Sequence, residues 1–565
     1  MSGRILFSFD GALLEGRYGE SLAAALTSAD IREFRQTRSG AARGIFCGMG
    51  VCQDCLVEVD GRPNQRACMT KLDRSMTVRR EIFGRVLSRV DISAEPKLLD
   101  NVPEEQVEIL VIGGGPAGLS AAIAARLAGG RVTVVDERPI PGGQYFKQIA
   151  VEAGSPPADP QHEEGARLVD KAHRLGVDIR SGVEIWGAFS RQELIGTEGG
   201  MVRRFNAERL IVATGAYERA VPVPGWTLPG VMTTGAAQTL WRSYRRIAGK
   251  RILLTGNGPL NMQVASELLS GGADIAAVVE IARMAAVPSL LSLLCMLGTV
   301  PRLVVEGLKY RAALRHVPII YGSAVTRIDQ AAGGQLAAYV SAYPCRPGEV
   351  DRMFEVDTVC LGHGFQPSSE ILRALGCRHK FDDGRGQFIV VTDERGRTSV
   401  DGVFGIGDCT GLVGARASLA EGTIAGHAAA LELGHRRSGP FEKSEARAKY
   451  ELKRHRRFQK WLWSLYAAPH LGVQLATPDT LICRCEEISL RQINEAISDG
   501  PLPIGDLKRA TRVGMGPCQG RYCGMILSEL VAKSHGAALD ESMRFAPRMP
   551  VKPVAIADIA RWPTA

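Results

Sequence analysis

Thirteen cysteines occur in the 565 residues, and eight of them fall into two tight groups, one near each end. The first group is Cys47, Cys52, Cys55 and Cys68, with four, two and twelve residues between successive members. The second is Cys483, Cys485, Cys518 and Cys523, with one, thirty-two and four between them. Grouped thiols in a reducing compartment, where disulfides are disfavoured, point to metal. The C-x4-C-x2-C opening of the first group has the spacing of a plant-type [2Fe–2S] loop, in which four thiolates hold two irons. Gly44, Gly48 and Gly50 keep side chains out of such a loop and leave backbone N–H groups free to bond sulfur. In the second group each cysteine pair is expected on a loop at a helix start, where the helix dipole favours thiolates and a negatively charged cluster. Gly514, Gly516 and Gly520 clear space there. Zinc is the competing ligand at both groups, although C-x4-C-x2-C is not a usual zinc spacing.

A second chemistry is written in Val111-Ile112-Gly113-Gly114-Gly115-Pro116-Ala117-Gly118. The apolar run Ile109–Ile112 leads into this turn, and Leu119–Leu127 continues in helix-forming residues. Strand, tight turn and helix in that order make a dinucleotide-binding unit. Gly113 allows the turn, Gly115 lets backbone N–H groups approach a pyrophosphate, and Gly118 lets helix and strand pack closely. The next strand, Arg131–Val135, ends in Asp136, 23 residues after Gly113. That is close to the ~20-residue spacing of a ribose-binding carboxylate, and the adjacent Glu137 belongs to the same end of the site. The loop after it carries Gly142, Gly143 and Gln144, which can place hydrogen bonds against a flavin ring. Thr214-Gly215 follows the strand Arg209–Ala213. Gly407-Asp408 precedes a helix near Ala417–Leu431, and Asp408 is placed to bond a ribityl hydroxyl.

These pieces resemble the two-dinucleotide-domain flavoproteins that include thioredoxin and glutathione reductases. The resemblance implies FAD at the first turn and one discontinuous FAD domain over 107–225 and 360–435. Nested within it, 226–359 reads as a second dinucleotide-binding domain. There Arg251–Thr255 leads into Gly256-Asn-Gly258-Pro-Leu-Asn261, and Glu280 ends the following strand. Asn261 replaces the third glycine, so its side chain is expected to push the helix from the strand or re-aim it. Glu280 would favour a free 2′-hydroxyl over a 2′-phosphate. A structural or vestigial nucleotide, NAD or ATP, is expected there in preference to catalytic use of a nicotinamide. Disulfide reductases of this family need a C-x-x-C or C-x4-C beside the flavin, and Cys295, Cys345, Cys360, Cys377 and Cys409 are not so paired. They read as small core residues, with Cys409 nearest the flavin motifs. His363 likewise reads as structural, and no catalytic residue is assigned.

The elements around these motifs give the chain its order. Residues 5–9 and 13–17 read as a hairpin, followed by a helix near Ser21–Ser28, within a ferredoxin-like module over 1–92. Residues 93–106 read as a linker and 436–478 as a basic helical linker ending in aromatic residues. Residues 479–538 form a small helical module and 539–565 an extended tail. Hydrophobic residues make up 45% and charged residues 23%, the balance of a globular chain of several domains. No apolar signal segment opens the sequence, which reads as cytoplasmic. The uncharged stretch Met284–Pro301 reads as a buried or partner-facing helix, since Pro288, Gly298 and Thr299 interrupt it. The net charge is +9, with a basic run from Lys443 to Lys460. That run reads as a solvated helix face, or as docking to an acidic protein or anionic lipid surface at the inner membrane. Nucleic acid is excluded, because no stacking aromatics accompany the run.

The N-terminal module resembles the [2Fe–2S] modules of molybdenum hydroxylases, sarcosine oxidase alpha subunits and hydrogen cyanide synthase. The C-terminal C-x-C and C-x4-C pairs resemble the bacterioferritin-associated-ferredoxin-like [2Fe–2S] domain. The whole order resembles the alpha subunits of hydrogen cyanide synthase, opine oxidase and proline or hydroxyproline dehydrogenase complexes, with the ferredoxin module fused. The resemblance implies an α/β electron-relay subunit of a hetero-oligomer acting on CH–NH or CH–NH2 donors. It also implies a D-amino-acid-oxidase-like beta subunit with its own FAD, a quinone or other respiratory acceptor and, in some relatives, FMN at the subunit interface. A stand-alone NAD(P)H:acceptor reductase and a non-catalytic iron–sulfur scaffold are the rival readings.

Overall fold

The computed structural model describes residues 3–82, 102–150, 159–283, 286–435, 439–498 and 500–560. Most of the expected linker, residues 93–101, lies outside them. Its last residues belong to a strand, because Glu104–Ile112 is continuous.

The N-terminal module is a seven-stranded sheet covered by the helix Leu22–Ser28. Ser21 caps that helix by accepting from the Ala24 N–H, and six of its seven residues are buried. The core this helix makes with Phe7, Phe9 and Val78 runs without a break into Ala236, Leu240 and Ile252 of the nested unit. The fused module is therefore packed into the flavoprotein. Buried Glu20 pairs with Arg246 at 2.8 Å across the same boundary, and Arg66 pairs with Glu184 at 2.8 Å.

The central unit is a sheet of parallel strands, Asp178–Ser181, Val132–Asp136, Glu104–Ile112 and Met201–Val212, extended by antiparallel neighbours. Its last parallel strand, Val403–Gly405, pairs with Leu210–Val212 only after the whole nested unit has been traversed. Two helices cross over this sheet, Pro116–Leu127 and Ala415–Glu432. Their contact is so close that a Cβ on Gly426 would lie 2.1 Å from the Ala121 carbonyl oxygen. The nested unit holds a five-stranded parallel sheet that includes Arg251–Gly256 and Asp274–Glu280.

The basic helix runs over Gly439–Leu465. Phe458 packs with Met296, Val300 and Val304, from two helices of the nested unit, Ala286–Leu297 and Pro301–Ala313, and the corner between them. Within the uncharged stretch, Leu290, Leu291 and Leu294 are more than half exposed. Among the described residues, no helix is long and apolar enough to cross a membrane. The segment after residue 539 is less extended than the prolines suggested. Val551 is buried and donates its N–H to the Trp186 carbonyl at 2.8 Å, and Ile556–Ala560 is helical.

Candidate functional site

A cavity of about 1390 Å³ opens at the end of the central sheet. Its wall carries Gly113, Gly115, Pro116, Ala117, Asp136, Glu137, Gly143, Gln144, Thr214, Gly215 and Asp408, so the three separated flavin motifs meet there. Gly118 lies behind the wall, where a Cβ would come 1.9 Å from the Gly113 carbonyl oxygen; only glycine allows that helix–strand contact. Gly113 sits at φ +108° with the Ala213 carbonyl 2.4 Å from where a Cβ would be. By contrast, a Cβ on Gly115 would meet nothing closer than 3.8 Å, and on Gly215 nothing at all. The turn therefore presents open backbone to the cavity, as a pyrophosphate at a helix N-terminus requires.

The carboxylates around the turn are partly engaged. Asp136 accepts from the N–H groups of Gly114 at 2.6 Å and Arg138 at 2.8 Å, while burial pushes its carboxyl up. Asp408 Oδ1 accepts from Val413 and Gly414 N–H at 2.9 and 2.8 Å, and burial raises it too. Gly407 donates its N–H to Glu421. Burial opposes charge on Glu137, but Lys552 from the C-terminal segment pairs with it and holds it below the ordinary carboxylate range.

Two further groups on the wall have no signal in the sequence. Burial, with the charges of Arg138 and Arg242, brings Lys147 down to about 7. Lys147 donates to Gln238 Oε1 at 2.7 Å. Burial raises Glu218 to about 7, although both its oxygens accept from the Gly235 N–H at 2.9 Å. A lysine and a carboxyl titrating near neutrality on one wall can hold or release a proton there.

The second glycine turn is built differently from the sequence expectation. Glu280 is fully buried; Oε2 accepts from the Gly258 N–H at 3.0 Å and Oε1 from the Asn261 amide at 3.1 Å. Gly256, Gly258 and Glu280 do not line the cavity. Asn261 does not displace its helix, which runs Pro259–Ser270 directly after the strand. The amide turns toward Gly362 of the neighbouring strand and donates to its carbonyl oxygen at 3.1 Å. Gly362 supplies the room: a Cβ there would lie 2.0 Å from Asn261 Oδ1. Asn261 thus engages Glu280, which is fully buried and does not line the cavity as Asp136 does.

The first cysteine group forms a buried chain of contacts. Cys47 bonds Cys52 and Cys68, and Cys68 bonds Cys55. Burial opposes a thiolate at Cys47, but those bonds and the N–H groups of Met49 and Cys52 hold it well below the usual thiol value. In the second group the contacts are Cys483 with Cys523 and Cys485 with Cys518. The bond from Cys523 brings Cys483 down to about 7. Cys523 starts the helix Gly524–His535, as expected. Cys483, however, ends the strand Leu481–Cys483, and the nearest following helix begins only at Leu490, so that pair sits on a strand-to-turn corner. Among the described residues, no three His, Cys, Asp or Glu side chains are grouped as one metal ion would require. Cys47 is the only cysteine on the described cavity wall. Cys409 is fully buried, bonds the carbonyls of Val212 and Ile406, and is pushed up to about 11 by burial, which makes it inert.

Residues 107–434 match the family model described as pyridine nucleotide-disulphide oxidoreductase. The chain belongs to that family. Residues 2–81 of this flavoprotein match a 2Fe-2S iron–sulfur cluster binding domain, and 478–561 match the sarcosine oxidase A3 domain. The latter match runs past the 479–538 module expected from the cysteines and takes in the C-terminal segment. An opine oxidase subunit from Agrobacterium tumefaciens (strain Ach5) is 34% identical over 470 residues, covering 81% of this chain and 92% of that protein. Hydrogen cyanide synthase subunit HcnB of Pseudomonas aeruginosa is 31% identical, covering 79% and 96%. In fold, the chain is similar to L-proline dehydrogenase from P. horikoshii, with a TM-score of 0.72, 21% identity and coverage of 98% and 97%.

Proposed function

We propose that this oxidoreductase is the flavin- and iron–sulfur-carrying subunit of a heteromeric amine or amino-acid dehydrogenase. In this reading it relays electrons from a partner flavoprotein subunit toward a respiratory acceptor. One observation carries the reading: Cys47 of the N-terminal group and Arg521 of the C-terminal cysteine loop stand on the same cavity wall as the Gly113–Gly118 turn. A cysteine of the first group and the loop of the second, both beside the flavin turn, suit an electron path better than substrate turnover. When bound, FAD exchanges electrons in pairs and [2Fe–2S] clusters pass them singly.

The open backbone at Gly115 and Gly215 would receive the FAD, with Asp136 toward the ribose. Cys47, Cys52, Cys55 and Cys68 would hold one cluster, and Cys483, Cys485, Cys518 and Cys523 the other. The C-x4-C-x2-C spacing of the first group, and a second group that meets as two pairs, fit two irons better than one zinc. The names of the relatives, as subunits of opine oxidase and hydrogen cyanide synthase, support a hetero-oligomer and a C–N donor. The buried Glu280 position and the absence of a cysteine pair on the described cavity wall weigh against an NAD(P)H-driven disulfide reductase. The test is to mix the purified holo-protein anaerobically with NADH, and separately with candidate amines in the presence of its co-purifying partner chain. Flavin bleaching only in the second mixture is expected; stoichiometric bleaching by NADH alone would replace this reading with the reductase.

A further inference from the structure

Two cysteine groups more than 400 residues apart meet in one buried core. Cys47 and Cys52 share it with Cys483 and Cys523. The residues that join them are each the chain neighbour of a group cysteine: Phe46, Asp54, Arg484 and Tyr522. Arg484 is 5% exposed and Asp54 fully buried, and Arg484 Nε donates to Asp54 Oδ2 at 2.7 Å. The Arg484 guanidinium also lies 3.7 Å from the Phe46 ring centre and 4.6 Å from that of Trp226, and donates to the Trp226 carbonyl at 2.6 Å. Arg35 bonds the other Asp54 oxygen at 3.2 Å. One carboxylate thus faces two guanidiniums directly, with Arg43 beyond them. The seam is net positive, the charge that would offset thiolate sites on either side of it. Glu487 closes its edge by accepting from Thr37 and Ser39 hydroxyls at 2.7 Å.

Tyr522 is the second, independent observation. Its ring meets Phe46 edge-on at 5.3 Å, yet its hydroxyl is buried with no hydrogen-bond partner among the described residues. An orphan hydroxyl at such a place costs stability unless a ligand accepts its hydrogen bond. The ring that Tyr522 meets, Phe46, is the chain neighbour of Cys47, and Tyr522 shares its core with Cys47 and Cys52. A residue of the C-terminal module thus faces the N-terminal cysteine loop.

We infer that the C-terminal module completes the N-terminal iron–sulfur site: Tyr522 donates its hydroxyl hydrogen to the Cys47/Cys52 side of that site, and Arg484 acts as a positioning residue that locks the two cysteine loops together. The inference rests on the proposed cluster ligation. A hydrogen bond to cluster sulfur favours the more negative, reduced form and raises its potential. A buried cation between the sites does the same for both.

The test is a redox titration of the full-length holo-protein followed by electron paramagnetic resonance. The N-terminal signal is identified by its loss in Cys68→Ser. Tyr522→Phe is expected to lower the midpoint potential of that signal alone. Arg484→Met is expected to lower both potentials, and Arg484→Lys to restore them in part. Tyr522→Phe removes only an unpaired hydroxyl, so it tests the inference even if Arg484→Met does not fold. Iron signals with an unmoved N-terminal potential in Tyr522→Phe would overturn this inference alone. Protein that holds no iron at the N-terminal group would overturn the proposed ligation and this inference together.

Discussion

At the residue scale the site is defined by who occupies each carboxylate. Asp136 was legible in the sequence because its register is local: strand, turn, helix and strand fix the Asp136–Gly114 distance within 23 residues. Asp136→Ala strips the acceptor from two N–H groups and is expected to weaken FAD binding by ~1–3 kcal/mol, measured by flavin release on dilution. Wild-type affinity would remove Asp136 from the site. Glu280 has the opposite history. The same spacing marked it as a ribose ligand, and a side chain from the helix after its turn, Asn261, has taken it. Burial first raises its pKa to about 7, against the bonds from Gly258 and Asn261. A carboxyl raised in the folded state contributes stability that is present below about 4.5 and lost as pH rises through about 7. Glu280→Gln is expected to remove that loss, on the order of 3 kcal/mol, and to flatten the unfolding midpoint between about pH 5 and 7.5. Equal slopes for both proteins would mean the carboxyl is not sealed as described.

At the element scale the decisive contact is the crossing of helices Pro116–Leu127 and Ala415–Glu432. Gly422 and Gly426 leave no room for a Cβ, at 2.2 Å from the Ala117 carbonyl and 2.1 Å from the Ala121 carbonyl. Gly426→Ala is expected to shift the first helix, cost ~1–3 kcal/mol by overpacking, and lower flavin retention, because that helix begins at the dinucleotide turn. Unchanged melting and unchanged flavin content would show that the helices can part without cost. The helices and strands themselves could be read from the sequence, since apolar runs, caps and glycine turns act over a few residues. What the sequence concealed was every response that depends on a distant neighbour. Asn261 was visible as a replacement for glycine, but Gly362, which makes space for it, comes from a strand 101 residues later. Cys483 and Cys485 were visible as candidate ligands, but not their strand-to-turn corner, because short strands such as Leu481–Cys483 form only where a partner meets them.

At the scale of the whole molecule, two cysteine-bearing modules at opposite ends of the chain close on one flavoprotein. The contact of Asp54 with Arg484, 430 residues apart, is set by surfaces that no local pattern encodes. The cysteine spacings pointed to iron–sulfur chemistry, and the fold supplied the adjacency that the proposed electron path needs. Cys518→Ser is expected to remove one of two distinguishable reduced-cluster signals, and an unchanged spectrum would leave the C-terminal group with zinc or with nothing. The most direct test of the relay is an anaerobic reductive titration of the purified full-length holo-protein, followed by flavin absorbance and by electron paramagnetic resonance. Two distinct iron–sulfur signals appearing together with flavin bleaching are expected. A single cluster signal, or zinc in place of iron at either cysteine group, would contradict it.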